Sequence, residues 1–192
     1  MDLDQFKWLN ESSVRLEDGA IVIRATENSD FFSPDSTVEG QHNAPFYYTD
    51  VTGDFMLTVK VSLEFAYVYD SASVMLMADD RNWAKACFER TDFGTHAAVT
   101  VVTKDGASDD ANGCNIEGDA LWLKMVRAGD SFGMHYSLDG SHYEMTRFFM
   151  LHAPQTLKVG LMAQSPRGKG GDRRYEQLSI ENVTVQNVRA GI

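Results

Sequence analysis

The chain has 192 residues, of which 43% are hydrophobic and 23% are charged, a composition typical of a globular protein with a substantial core. Its formal net charge is -11, from 28 acidic and 17 basic residues, and such a balance repels phosphate backbones and anionic membrane surfaces. Nucleic acid is therefore not an expected partner. No apolar run approaches the ~18 residues of a membrane helix, so a membrane is not expected either.

The N-terminal stretch MDLDQFKWLNESS is acidic and lacks the apolar segment that secretory signals contain, so we expect a cytoplasmic protein. Two cysteines, Cys87 and Cys114, are separated by an acidic, glycine-rich stretch and do not form a CxxC pair. Free thiols are expected, and a disulfide is the less favoured alternative.

Alternation of apolar and polar residues recurs along the chain, whereas helical periodicity is almost absent. Residues 54–64 alternate most clearly, with every second residue apolar from Phe55 to Leu63, and predict a long strand with one buried face. Residues 71–78 and 83–89 predict a hairpin that turns at 79–82. The other predicted strands cover residues 20–24, 96–103, 121–127, 131–137, 142–149, 156–164 and 175–185.

This pattern predicts an all-β fold of two antiparallel sheets packed as a sandwich, because a single sheet of about a dozen strands would expose an apolar face. One domain over residues 1–192 is expected. Residues 103–118 and 165–175 are glycine-rich and charged, and are predicted to form two long irregular loops.

Residues 83–89, WAKACFE, place Trp83, Lys85 and Glu89 on one face of a strand and small or apolar residues on the other. The first face can be a ligand floor, with the indole as a stacking surface and the two charged groups orienting hydroxyls or an anionic group. It can equally be a solvated face whose ion pair contributes ~0–1 kcal/mol. The sequence leaves both interpretations open.

Seven segments of the chain occur in an order typical of one family. The segments are Asp54-Phe55, Tyr69-Asp70-Ser71-Ala72, the WxKxxxE of residues 83–89, Val101-Val102-Thr103 with Ser108-Asp109, Leu121-Trp122-Leu123-Lys124 with Arg127, Tyr136-Ser137-Leu138-Asp139-Gly140, and Val159-Gly160-Leu161-Met162 with Ser165-Pro166. In this order they resemble the uncharacterised family of concanavalin A-like proteins that includes the fungal regulation-of-enolase protein. The similarity is weaker to the β-sandwich module that ends many β-xylosidases.

The resemblance implies a LamG-like jelly roll whose curved sheet forms a concave groove, and it implies no settled activity. Three positions depart from the family pattern: Ser71 replaces a glutamine, Cys87 a glycine and Asp110 an aromatic residue. The groove is therefore expected to be lined differently, without carbohydrate stacking at position 110.

Charged residues in or beside strands complete the candidate site. Asp70 is either a ligand contact or a turn residue, and Arg127 and Arg147 are expected to pair with Glu89 or Asp109. The residues expected to bind a ligand are Asp70, Trp83, Lys85, Glu89, Asp109, Arg127 and Arg147. The basic residues Arg167, Lys169, Arg173 and Arg174 either hold an anionic ligand or form a solvated hairpin tip.

Catalysis, metals and cofactors receive little support. The chain lacks the ExDxxE pattern of glucanases with this fold, although Glu89 can pair across strands with Asp70 or Asp109. The five histidines have no HxH or HExxH spacing, and the oxygen-rich residues 105–115 lack EF-hand spacing, so a solvated loop is preferred to a calcium site. No cofactor is expected.

The leading hypothesis is a non-catalytic protein that binds a small polar ligand, such as a carbohydrate, on a concave sheet face. The alternatives are a regulatory protein–protein interaction domain and, less favoured, a carbohydrate-active hydrolase. Aromatic residues slightly favour the sugar: Trp83, Phe31, Phe32, Tyr47 and Tyr48.

Overall fold

The computed structural model describes residues 3–192. Met1 and Asp2, the first two residues of the acidic N-terminal stretch, lie outside the described residues. A 3₁₀ turn at Leu3–Gln5 precedes sixteen strands. The strands are β1 (Lys7–Leu9), β2 (Val14–Glu17), β3 (Ala20–Ala25), β4 (Phe31–Phe32), β5 (Gln41–His42), β6 (Phe46–Thr52), β7 (Phe55–Leu63), β8 (Ser71–Asp79), β9 (Asn82–Arg90), β10 (His96–Lys104), β11 (Ala107–Asn115), β12 (Ala120–Ala128), β13 (Ser131–Ser137), β14 (Glu144–Met150), β15 (Thr156–Gln164) and β16 (Gly171–Glu181).

Fourteen of these strands form two antiparallel sheets of seven strands each. The front sheet has the order β1-β6-β15-β8-β9-β10-β11, and the back sheet has the order β14-β13-β12-β7-β16-β3-β2. Strands β4 and β5 form a separate two-stranded hairpin. The predicted all-β sandwich is confirmed, and the two-sheet arrangement is consistent with a jelly roll. Within residues 3–192, no helix has the length and apolar character that a membrane span requires.

The core between the sheets follows from the alternation in the sequence. On β7, Phe55, Leu57 and Val59 are fully buried, while the residues between them are only partly buried. The front sheet contributes small and aromatic side chains to the same cluster, such as Ala84 and Phe88 on β9. The residue period of two therefore places each strand's apolar set between the sheets.

The predicted hairpin of β8 and β9 is confirmed, with Ser71 opposite Glu89 and Met75 opposite Lys85. The predicted loop at residues 103–118 is wrong, because β11 occupies Ala107–Asn115 and pairs with β10. This strand is at the sheet edge and most of its side chains are exposed, so its sequence shows no apolar alternation. Strand β16 begins at Gly171, which shortens the basic loop to residues 165–170.

Residues 26–45, which we call the cover segment, cross the outer face of the front sheet and include β4 and β5. One part is attached to the β15–β16 loop, where the Ser29 amide donates to the Ser165 carbonyl at 3.2 Å. Another is attached to β11, where the Ser108 amide donates to the Ser33 carbonyl at 2.8 Å. The cover segment therefore reaches from the end of β15 to the edge strand β11.

The cover segment corrects the interpretation of Trp83 as an exposed stacking surface. Phe31 and Ala44 of the segment pack with Met75, Met77 and Trp83 in a second apolar cluster, and Trp83 is fully buried. The Phe31 and Trp83 rings meet edge to face, with centroids 5.7 Å apart. Residues 83–89 are consequently buried on both faces of the sheet, which a period-two pattern does not predict.

Asp70 is a structural residue. Its carboxylate lies 3.0 Å from the Arg173 guanidinium and accepts a 2.6 Å hydrogen bond from the Ser165 hydroxyl. It also accepts backbone bonds from Ala66 and Tyr67 at 3.1 and 2.9 Å. Both Asp70 and Arg173 are fully buried, and this pair joins the β7–β8 connection to β16. Burial, partly offset by Asp70, lowers the pKa of Arg173.

Arg127 was expected to pair with Glu89 or Asp109, and the structure contradicts this. It lies on β12 of the back sheet, where it is buried and donates to the carbonyls of Gly129, Gln155 and Ala153. Its guanidinium therefore satisfies backbone oxygens of two segments, the β12–β13 turn and the connection between β14 and β15.

Asp70→Asn should lower the free energy of unfolding by about 3–5 kcal/mol, because it leaves the buried Arg173 charge without its carboxylate. Asp172→Asn is the matched control: Asp172 pairs with Arg15 on the surface, and its loss should cost less than about 1 kcal/mol. Urea unfolding of both variants measures the difference. Equal, small losses would contradict a structural role for Asp70.

Candidate functional site

A cavity of about 970 Å³ lies between the cover segment and the outer face of the front sheet. Lys85 and Glu89 on β9 and Gln164 on β15 lie on its floor. The cover segment contributes Asp30 and Phe32 to the wall. Loops and β11 provide the remaining rim, which includes Tyr69, Asp92, Phe93, Asp110 and Arg167.

The Lys85 ammonium is held at the floor by two oxygens. It donates to Gln164 Oε1 at 2.7 Å and to Asp30 Oδ1 at 3.1 Å. Only 2% of the residue is exposed. Burial, the largest single influence, opposes the charged form, but the neighbouring acidic groups, Asp30 foremost, and the Asp30 hydrogen bond together outweigh it, and the pKa of Lys85 is raised. The ammonium is therefore charged at neutral pH and is paired as a buried charge must be.

Glu89 has a different environment from the one expected. The structure shows no direct ion pair with Lys85: Gln164 lies between them and donates from Nε2 to Glu89 Oε2 at 3.3 Å. Burial, partly offset by Lys85, raises the pKa of Glu89 to about 8. At pH 7 most molecules therefore carry a neutral carboxyl group that can both donate and accept a hydrogen bond.

Cys87 lies between Lys85 and Glu89 on the same strand face and is fully buried. Burial raises the pKa of its thiol to about 12, so it is not a thiolate at neutral pH and is not suited to act as a nucleophile. Cys87 and Cys114 are both free, as the sequence predicts.

Tyr69 on the cavity rim adopts an unusual backbone conformation, with φ of 67°. Such left-handed geometry costs a residue with a side chain roughly 1–3 kcal/mol and must be fixed by its surroundings. Both backbone polar groups are engaged: the amide donates to the Arg90 carbonyl at 2.7 Å, and the carbonyl accepts from Gln164 Nε2 at 3.1 Å. Gln164 thus connects Lys85, Glu89 and the strained turn at Tyr69.

Of the five aromatic residues that the sequence suggested for sugar stacking, Phe32 lines the cavity, whereas Trp83, Phe31, Tyr47 and Tyr48 do not. Phe93, in the β9–β10 loop, is 78% exposed, and Phe32 is half-buried. The Arg167 guanidinium lies over the Tyr69 ring, 5.7 Å from its centroid. Within the described residues, no group of three or more His, Cys, Asp or Glu side chains is arranged to hold a metal ion.

Asp109 and Arg147 lie away from this cavity. They form the predicted pair, 3.0 Å apart, at a second cavity of about 240 Å³ between β11 and β14. Asp109 is 75% exposed there. Of the seven predicted binding residues, only Lys85 and Glu89 line the large cavity. Sequence reasoning missed Asp30, Gln164, Tyr69 and Phe93, whose proximity depends on long-range contacts.

Comparison with known proteins confirms the predicted resemblance. Regulation of enolase protein 1 of Saccharomyces cerevisiae is 27% identical over 182 residues, covering 93% of this chain and 90% of the relative. The crystal structure of a functionally unknown protein from Saccharomyces cerevisiae superposes with a TM-score of 0.85 and 25% identity, covering 94% of this chain and 98% of that one.

Two carbohydrate-related structures share the fold at low sequence identity. Xylan β-1,4-xylosidase from Bacillus halodurans C-125 gives a TM-score of 0.68 with 10% identity, covering 91% of this chain and 39% of the enzyme. Carbohydrate binding module CBM66 from Bacillus subtilis gives a TM-score of 0.62 with 10% identity, covering 93% and 96% of the two chains. At such identities these matches show a common fold and nothing about a common ligand.

The family model described as "Protein of unknown function (DUF1349)" matches residues 8–183. This range includes the cover segment, both sheets and every residue that lines the large cavity. The chain therefore belongs to the DUF1349 family.

Proposed function

We propose that the large cavity binds a small polyhydroxylated ligand, a carbohydrate or a carbohydrate derivative. The observation that carries the proposal is the set of buried polar groups on its floor, Lys85, Gln164 and Glu89, beside an exposed aromatic rim. Binding sites of this kind are concave, with a few fixed polar groups that orient the ligand. The proposed site is on the outer face of the front sheet, and a ligand on a concave sheet face stays a prediction of the sequence.

The floor has hydrogen-bonding capacity that matches sugar hydroxyls. An ammonium has three N–H donors, and Lys85 uses two of them on Gln164 and Asp30, which leaves one for a ligand. The neutral form of Glu89 supplies one donor and further acceptors. A hydroxyl both donates and accepts, so it can pair with either group.

The rim supplies an apolar surface for the C–H face of a sugar ring. Phe93 is the most accessible aromatic side chain, and Tyr69 is fixed nearby by its backbone bonds. The fold shared with a carbohydrate binding module and a xylosidase adds support of a weaker kind, because it concerns architecture and not the site.

The remaining hypotheses are less favoured. A partner protein would favour an apolar patch, whereas this cavity is bounded by the cover segment and has charged groups on its floor. Hydrolysis of a glycosidic bond would need a pair of carboxyl groups, one ionised and one neutral, at a defined separation. Ligand binding needs no such pair and is therefore the simpler hypothesis. The cytoplasmic location stays a prediction of the sequence.

Lys85→Met should weaken saccharide binding at least tenfold, because it removes the charged donor from the floor. A panel of neutral mono- and oligosaccharides, followed by thermal shift and titration calorimetry, identifies the ligand on the native protein first. Lys60→Met, on the back sheet, is the charge-matched control and should bind as the native protein does. Equal affinities for all three proteins would remove Lys85 from the site, and no binding by any saccharide would reject the proposal.

Phe93→Ala should reduce affinity about 3- to 10-fold through lost ring stacking and leave the melting temperature unchanged, because the side chain is exposed. Leu138→Ala removes an exposed apolar side chain that does not line the cavity and should change neither quantity. An unchanged affinity for Phe93→Ala would exclude the rim from ligand contact.

Glu89→Gln should flatten the pH dependence of stability. The folded-state pKa of Glu89 is raised to about 8 from 4.5, so its protonated form contributes stability that is complete below pH 4.5 and is lost as the pH rises through about 8. The variant should match the native protein near pH 5 and exceed it near pH 9 by on the order of a few kcal/mol in unfolding free energy.

Chemical denaturation at a series of pH values measures this effect, with the exposed Glu117→Gln as control. Parallel curves for Glu89→Gln and the native protein would contradict a neutral, buried Glu89.

A further inference from the structure

We propose that the cavity prefers saccharides that carry a primary ammonium group over neutral and anionic ones. This inference rests on the proposed carbohydrate function and specifies its ligand class. It follows from the charges around the cavity, their existing partners and the separate positions of the floor and the rim.

Acidic groups outnumber basic groups around the cavity. Five carboxyl groups line it, on Asp30, Glu39, Glu89, Asp92 and Asp110, against two cationic groups, on Lys85 and Arg167. Glu89 is mostly neutral at pH 7, and the other four carboxyl groups still outnumber the two cations. Both cations are already engaged, Lys85 by Asp30 and Gln164 and Arg167 by the face of Tyr69. The resulting negative potential attracts a cationic ligand and disfavours an anionic one.

Three of these carboxyl groups have no partner in the part of the chain that the structure describes. Within residues 3–192, the side chains of Glu39, Asp92 and Asp110 make no hydrogen bond or ion pair. An independent observation is the state of Glu89, which is only 7% exposed and lines the cavity. One of its oxygens accepts from Gln164, and the other, Oε1, has no hydrogen-bond partner in the described part of the chain. Because Glu89 lines the cavity, this second oxygen is available to a ligand.

The rim is also suited to an ammonium group through its aromatic rings. Phe93 lies on the same rim as Asp92 and Asp110, whereas the Tyr69 ring already carries the Arg167 guanidinium. A ring face attracts a cation within about 6 Å of its centroid, and nearby carboxylates strengthen that attraction. The carboxylates are close enough to act on groups of the cavity, because Asp92 and Asp110 both contribute to the raised pKa values of Glu89 and Tyr69.

The floor explains why the ligand is an aminated sugar and not a simple polyamine. Lys85 is a buried cation with a donor to spare, so it repels a second ammonium and requires an acceptor such as a hydroxyl oxygen. A matching ligand therefore places hydroxyl groups on the floor and its ammonium at the acidic rim. A charged polyamine has hydrogen-bond donors only, so it offers no acceptor to the free N–H of Lys85.

Three β-1,4-linked trisaccharides that differ at the C2 substituent test the inference: cellotriose with hydroxyl, the chitosan trimer with ammonium, and triacetylchitotriose with acetamide. Calorimetry at pH 6 and low salt should show at least tenfold tighter binding of the ammonium form than of the other two. The preference should shrink at high salt, as expected for charge attraction at an open rim.

Asp92→Asn combined with Asp110→Asn should reduce the affinity for the ammonium form toward that for cellotriose. Asp80→Asn combined with Asp119→Asn makes the same charge change at exposed positions outside the cavity and should preserve the preference. Both double variants change exposed side chains, so both are expected to fold.

Equal affinities for the hydroxyl and ammonium forms would overturn this inference and leave the carbohydrate proposal intact. Binding by none of the three trisaccharides would also overturn it, whereas the neutral saccharide panel decides the carbohydrate proposal separately. Spermidine binding as tightly as the chitosan trimer would show a site for cations in general and would likewise overturn it.

Discussion

The buried ammonium of Lys85 is the constraint on which the front face of the molecule depends. An unpaired charge at this depth would cost several kcal/mol, so the chain must bring it oxygen partners. Asp30 arrives from the cover segment and Gln164 from β15, and neither is near Lys85 in sequence. The charge therefore links the position of the cover segment to the floor of the sheet. The cover segment packs against the apolar side chains around Trp83 and leaves a cavity over Lys85 and Glu89.

Much of the fold could be predicted from the sequence, because alternation reports directly which side chains enter the core. The strand at residues 54–64 shows this clearly, and β7 occupies Phe55–Leu63. The method failed at β11, whose exposed edge position demands no apolar side chains. It also failed for Trp83, because a period of two separates the faces of a strand but does not reveal that a second layer covers the polar one.

The site was predictable only where it coincides with β9. Lys85 and Glu89 were identified by their shared face, but their partners come from positions distant in the chain, and no local pattern marks Asp30 or Gln164. Charged residues such as Asp70 and Arg127 resembled ligand contacts in the sequence, yet they satisfy buried polar groups of the fold. Tyr69 owes its place at the rim to a positive φ fixed by Gln164 and Arg90.

The crystal structure of the protein with a saccharide from the neutral panel tests the central claim most directly. Our account predicts a sugar in the large cavity, with a hydroxyl about 3 Å from Lys85 Nζ or the Glu89 carboxyl group, and a ring near Phe93. A sugar bound elsewhere, for example at the Asp109–Arg147 cavity, with the large cavity empty, would contradict it.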